Sequence, residues 1–104
     1  MKKINLAISG CFGRMGRQLI KSSKSNKRFK LVALTESKFI NKKIAGIKLG
    51  LNAEYTFKKT DVIIDFTIPK CTLDILRIAS KLKKRVVIGT TGFTQKEEAI
   101  IRKF

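Results

Sequence analysis

Gly10-Cys11-Phe12-Gly13-Arg14-Met15-Gly16 is the stretch of this chain best suited to chemistry, with three glycines spaced three apart. A pyrophosphate needs backbone amides brought very close, and a side chain in the wrong place blocks that approach. Gly10 suits a tight turn, Gly13 a close backbone approach to phosphate, and Gly16 the packing of a helix onto a strand. A helix opening here would add unsatisfied amides and a partial positive charge. The same glycines would also suit a bare strand-to-helix turn, so the pattern depends on its context.

Glu36 lies 26 positions beyond Gly10. An acidic residue roughly 20 positions on accepts hydrogen bonds from the adenosine ribose in dinucleotide-binding units. The plain alternative is a solvated glutamate, but the chain has only seven acidic residues, which gives each placement more weight. Asp65-Phe66-Thr67 and Gly89-Thr90-Thr91-Gly92-Phe93 each close an apolar run. Ligands of open parallel sheets bind outside the carboxyl ends of strands. There Gly89 and Gly92 would permit close approach, and the hydroxyls of Thr90 and Thr91 both donate and accept. Turn glycines beside strand-end threonines are the other reading. Cys11 and Cys71 form no metal-spaced pair, and the chain contains no histidine to complete a zinc site. They read as reduced cytosolic thiols. The residues assign no metal ligand and no catalytic group.

The elements that must position these residues follow from the apolar pattern. Ile4 to Ser9 reads as a buried strand, residues 10–13 as a turn, and Arg14 to about Ser23 as a helix with Met15, Leu19 and Ile20 on one face. Ser22 to Lys27 is a polar loop, and Phe29 to Leu34 a second strand. Strands joined by a helix should lie parallel. Phe39 to Phe57 carries loop signals at Asn41-Lys42-Lys43 and Asn52 and suggests no regular element. Asp61 to Phe66 is a third strand. Pro69 opens a helix through about Leu82, with Leu73, Leu76, Ile78 and Leu82 mostly inward. Arg85 to Ile88 is a fourth strand, and Thr94-Gln95-Lys96-Glu97 a capping box that starts a last helix. The expected fold class is α/β: a Rossmann-like doubly wound parallel sheet, incomplete, of about four strands with flanking helices. An open sheet that lacks later strands would expose an edge and an uncovered face.

Composition narrows the function classes. At 43% hydrophobic residues the 104-residue chain can bury a core. Its apolar runs are far too short to span a bilayer, and its basic start lacks the long apolar region of a signal peptide. A cytoplasmic protein with no membrane partner is expected. The net charge is +17, but the lysines are scattered from Lys2 to Lys103 and form no arginine-rich helix. That pattern implies weak, salt-sensitive contact with polyanions and no specific nucleic-acid partner.

Three stretches together resemble the 4-hydroxy-tetrahydrodipicolinate (dihydrodipicolinate) reductase family. They are Gly10 to Arg17, Ile64-Asp65-Phe66-Thr67-Ile68-Pro69, and Val87-Ile88-Gly89-Thr90-Thr91-Gly92-Phe93. The resemblance implies hydride transfer from NADH or NADPH to 4-hydroxy-tetrahydrodipicolinate, a small dicarboxylate of lysine and diaminopimelate synthesis. By position, Gly10, Cys11, Phe12, Gly13, Arg14 and Met15 would hold the pyrophosphate, and Glu36 the adenosine ribose. Gly89, Thr90 and Thr91 would lie along the nicotinamide. NADPH-using relatives often carry Arg after the acidic residue; Ser37 and Lys38 stand here, so NADH is the first expectation and NADPH stays open. Cys11 and Phe12 fill loop positions where many relatives have small residues, and Phe12 would crowd the site. The family is about two and a half times as long. Residues 1–104 would be its partial NAD(P)-binding domain, with the C-terminal substrate domain, its paired histidines and most tetramer contacts absent. Such a chain would be inactive alone. A stand-alone dinucleotide-binding module, a decayed remnant and a basic non-specific nucleic-acid binder are the alternatives.

Overall fold

A computed structural model describes residues 2–38 and 40–104. Strand β1 (Ile4–Ser9) leads through the glycine turn into helix α1 (Arg14–Ser25), which returns to strand β2 (Phe29–Thr35). Strands β3 (Lys43–Ile44) and β4 (Ile47–Lys48) and helix α2 (Glu54–Phe57) follow. Then come β5 (Val62–Asp65), α3 (Pro69–Leu82), β6 (Arg85–Ile88) and α4 (Gln95–Ile101). Four strands form one parallel sheet in the order β2-β1-β5-β6. The chain therefore builds outward from β1 on one side, then crosses to the other. Such a reversal leaves a crevice at the strand carboxyl ends, here between β1 and β5. The expected doubly wound sheet is present.

Strand alternation splits the core in two. Leu6, Ile8 and Leu34 pack with Ile20, Cys11 and Leu49 on the α1 side. Ala7, Ala33 and Ile63 pack with Ile75, Ala79 and Phe57 on the α3 side. The register breaks where Leu6 pairs with Leu31 but Ala7 pairs with Ala33. Val32 is the extra residue of this bulge, and it joins Ala33 in the α3-side core. A continuous apolar run does not reveal such an insertion.

Several helix faces differ from the sequence expectation. Met15 is 49% exposed, while Gly16, Ile20 and Ser23 face inward. The stripe is set by Gly16, which must press on the glycine turn and so rotates Met15 outward. In α3 the central stripe is Cys71, Ile75 and Ala79, joined by Thr72 and Leu76. Leu73, Ile78 and Leu82 are half-buried flanks. The region from 40 to 57 is also more regular than expected. Two-residue strands β3 and β4 pair antiparallel about Ala45-Gly46, whose φ values of 56° and 77° make a tight mirror-image turn. Phe57, in α2, is fully buried. Strands this short give no readable period.

The capping box of α4 forms as expected: Thr94 Oγ1 accepts from the Glu97 amide at 3.1 Å, and Glu97 Oε1 from the Thr94 amide at 2.9 Å. The β6 edge is open, and Val87 remains 55% exposed there. Among the described residues no helix is long and apolar enough to cross a membrane.

Cys11 and Cys71 are buried free thiols. Burial, then the charge of Glu36, pushes the Cys11 thiol up to about 11 against the pull of a backbone hydrogen bond. Burial likewise raises Cys71. Neither forms appreciable thiolate at neutral pH. Iodoacetamide at pH 7.5 should therefore leave both cysteines of the folded chain intact and alkylate both in denaturant; native labelling of Cys11 at the rate of a free thiol would refute this. In urea titrations, Ile75→Ala should cost about 2–5 kcal/mol, whereas Met15→Ala should stay within about 0.5 kcal/mol.

Candidate functional site

The three glycines of the first turn have different reasons to be glycine. Gly10 sits at φ 85°, and a Cβ there would lie 2.2 Å from the Phe66 carbonyl oxygen. A Cβ on Gly16 would lie 2.2 Å from the Gly10 carbonyl oxygen and 2.8 Å from Cys11 Cα. Backbone crowding thus excludes any side chain at both positions. Gly13 differs. It is exposed, its φ of −66° suits any residue, and a Cβ would meet only the Gly10 carbonyl oxygen, at 3.4 Å. The fold itself does not require glycine at 13. Gly13 is also the N-cap of α1 and offers no side chain to its first-turn amides. Arg14-Met15-Gly16-Arg17 brings no acid to that turn. The helix end therefore keeps unsatisfied donors and a positive potential.

The other loop residues divide between core and surface. The side chain of Cys11 points into the α1-side core, and its amide donates to the Thr35 carbonyl at 3.4 Å. The Phe12 ring packs against that same core, with Lys42 Nζ 5.5 Å from its centroid. Phe12 is not among the residues lining the cleft beside Glu36. Arg14 lines a separate basic hollow along α1 with Arg17 and Lys21. Met15 is exposed.

Glu36 follows β2 directly. Its amide donates to the Gly50 carbonyl at 3.3 Å, and the Gly50 amide donates to Leu34 at 2.9 Å, so the segment after β4 fixes its place. Burial raises the Glu36 carboxyl above its ordinary range, and the Phe12 amide, which donates to it, pulls the other way. Gly10, Gly13, Glu36, Ser37, Phe66, Thr67 and Ile68 line one cleft of ≈220 Å³ at the carboxyl ends of β1, β2 and β5. A larger hollow of ≈350 Å³ runs along the outer edge of β2 between Val32, Leu49 and Tyr55. It is mainly apolar, and neither the glycine turn nor Glu36 lines it. The smaller cleft combines bare backbone, a carboxylate and a free helix end.

Gly89, Thr90 and Thr91 lie beside this cleft and do not line it. A Cβ on Gly89 would run into the Phe66 ring at 2.1 Å. Thr90 turns its hydroxyl inward: it accepts from the Thr67 amide at 2.9 Å and donates to Asp65 Oδ2 at 3.1 Å. Thr91 is exposed. Sequence reasoning missed the polar support beneath the loop. Asn52 Oδ1 accepts from Ser9 Oγ at 3.1 Å and Thr35 Oγ1 at 2.6 Å, tying the segment before α2 to the ends of β1 and β2. Hydroxyls ending two apolar strands were the available signal; their partner Asn52, in an irregular segment, was not readable.

The model for the family described as dihydrodipicolinate reductase, N-terminus, matches residues 4–104. The 4-hydroxy-tetrahydrodipicolinate reductase of Pelagibacter ubique (strain HTCC1062) is 83% identical over 104 residues, covering 100% of this chain and 40% of that protein. The reductase of Buchnera aphidicola subsp. Acyrthosiphon pisum (strain Tuc7) is 43% identical over 114 residues, covering 99% of the chain and 42% of that protein. Among solved structures, the dipicolinate-bound dihydrodipicolinate reductase of Paenisporosarcina sp. TG-14 superposes with a TM-score of 0.79 at 28% identity, over 94% of this chain and 41% of that one. The chain spans about 40% of the length of the curated relatives it matches. The chain belongs to the dihydrodipicolinate reductase family and corresponds to its N-terminal, NAD(P)H-binding part.

Proposed function

We propose that these 104 residues form the cofactor half of a reductase that converts 4-hydroxy-tetrahydrodipicolinate to tetrahydrodipicolinate. Gly10, Cys11, Phe12, Gly13, Arg14 and Met15 form the pyrophosphate loop, Cys11 and Phe12 through backbone position and Gly13, Arg14 and Met15 through the open helix end. Glu36 takes the adenosine ribose hydroxyls. Gly89, Thr90 and Thr91 flank the nicotinamide. The observation that carries this reading is Gly13, a glycine that the fold does not need, on the wall of a cleft it shares with Glu36. A bare backbone there leaves room for a phosphate against the helix end. NADH or NADPH fits this donor set and, when bound, supplies the hydride.

The carboxylate of Glu36 favours ribose hydroxyls over a 2′-phosphate, which makes NADH the first choice; exposed Lys38 leaves a cation within the same segment for NADPH. A hydride acceptor needs its own clamp and proton donor. Among the described residues lining the cleft, Glu36 alone titrates, and the chain has no histidine. The chain by itself therefore orients cofactor without completing the reaction on its dicarboxylate substrate. Scattered lysines give polyanion contact that salt abolishes, with no specific nucleic-acid partner.

Three measurements test this. Gly13→Ala should weaken NADH binding, read by calorimetry, about tenfold or more, while costing less than about 1 kcal/mol of stability. Gly16→Ala should instead destabilise by about 1–3 kcal/mol or more, because its Cβ overlaps backbone. Unchanged NADH affinity in Gly13→Ala would sink the phosphate assignment.

The second measurement concerns pH. A carboxyl whose pKa is raised on folding costs stability as pH rises from its ordinary value through the raised one. The Tm of Glu36→Gln relative to wild type should thus climb through that window and level off above it. A difference flat with pH would contradict the burial of Glu36. The same variant should shift binding preference toward NADPH. Third, the chain alone should not oxidise NADH in the presence of freshly made substrate; a rate close to an intact family enzyme's would overturn the division of labour.

A further inference from the structure

Asp65, the last residue of β5, is fully buried beside the crevice between β1 and β5. Its carboxylate accepts from three threonine hydroxyls. Thr67 Oγ1 donates to Oδ1 at 2.5 Å, Thr90 Oγ1 donates to Oδ2 at 3.1 Å, and Thr72 Oγ1 also donates to Oδ2. The donors come from three segments: the loop after β5, the first turn of α3, and the loop after β6. None of these partners is a cation. A buried carboxylate is costly unless fully hydrogen-bonded, and an apolar residue would close an apolar strand at lower cost. The carboxylate offers what an apolar residue or an amide does not, which is acceptor capacity for three hydroxyls at once.

We propose that Asp65 is a positioning residue that sets the Gly89–Thr91 loop for the nicotinamide half of the cofactor, a role that rests on the cofactor reading above. Thr90 is the link. Its one proton goes to Asp65, and it accepts the Thr67 amide at 2.9 Å, which fixes its side chain inward. The Gly89 amide donates to the Asp65 carbonyl at 2.8 Å, so β5 holds the start of the same loop twice. Thr91 and Gly92 are left on the surface. With the adenosine end on Glu36 beyond β2, a dinucleotide crossing the switch point carries its other end over β5 and β6. That end meets the loop that Asp65 anchors. An amide at 65 would keep the shape but turn an N–H₂ toward hydroxyl donors and release Thr90.

The test compares NADH with ADP-ribose, which lacks the nicotinamide, by calorimetry on the 104-residue chain. Asp65→Asn and Thr90→Val should each weaken NADH about tenfold while changing ADP-ribose less than about threefold. Thr90→Ser, which keeps the hydroxyl, should recover most of the NADH affinity that Thr90→Val loses. Equal losses for the two ligands would mean a general structural role and overturn the proposal. So would wild-type NADH affinity in either variant when folded by circular dichroism. If Asp65→Asn does not fold, the Thr90→Val and Thr90→Ser pair decides. A wild-type chain that binds neither ligand would refute the cofactor reading itself, and this role with it. Wild-type binding of both ligands without discrimination in the variants refutes the positioning role alone.

Discussion

At the boundary of β1 and β5 three stretches of backbone approach closer than any side chain allows. The Phe66 carbonyl presses on Gly10, and the Gly10 carbonyl presses on Gly16. This stacking draws the start of α1 down onto the turn and holds the end of β5 against it. It therefore determines which face of α1 is buried, why Met15 points outward and where the free amides of the helix end lie. The cleft beside Glu36 adjoins the same approach, because its walls include the Gly10 and Gly13 backbones and the chain that leaves β5.

Around this crowded centre the strand ends are held by hydroxyls. Ser9 and Thr35 donate to Asn52 under the glycine turn, and Thr67, Thr72 and Thr90 donate to Asp65 under the other half of the crevice. Ser9, Thr35, Asp65, Thr72 and Thr90 are buried in these networks, Asn52 and Thr67 half-buried, and neither network uses a cation. Short hydroxyl side chains fit between strand ends and hold them with less conformational freedom to lose than Lys or Arg. In this strongly basic chain the positive charge stays on the surface, and the cleft beside Glu36 is walled by bare backbone and a carboxylate.

The sheet has unequal edges. The β2 side is closed at its carboxyl end by a bridge between Thr35 and Gly50, which also seats Glu36. The β6 side is open, with Val87 exposed on it. The relatives matched by this chain continue well past the length it covers.

The sequence by itself determined the succession of the four parallel strands with helices α1, α3 and α4, the glycine turn, the capping box of α4 and Glu36 just past β2. These depend on local rules: a strand's apolar run, a side chain's capping reach, and the steric tolerance of glycine. It did not reveal the bulge at Val32, the inward turn of Ile75 and Ala79, the β3–β4 hairpin, or the partners of Asp65. Each of these depends on what lies opposite in space. A bulge needs a neighbouring strand to count against, and a helix stripe needs a surface to face. A buried carboxylate needs its three hydroxyls brought from positions 67, 72 and 90, and only tertiary packing brings them together. That the fold leaves Gly13 sterically free also emerged only there, because it takes the neighbours of all three glycines to see which one the fold does not use.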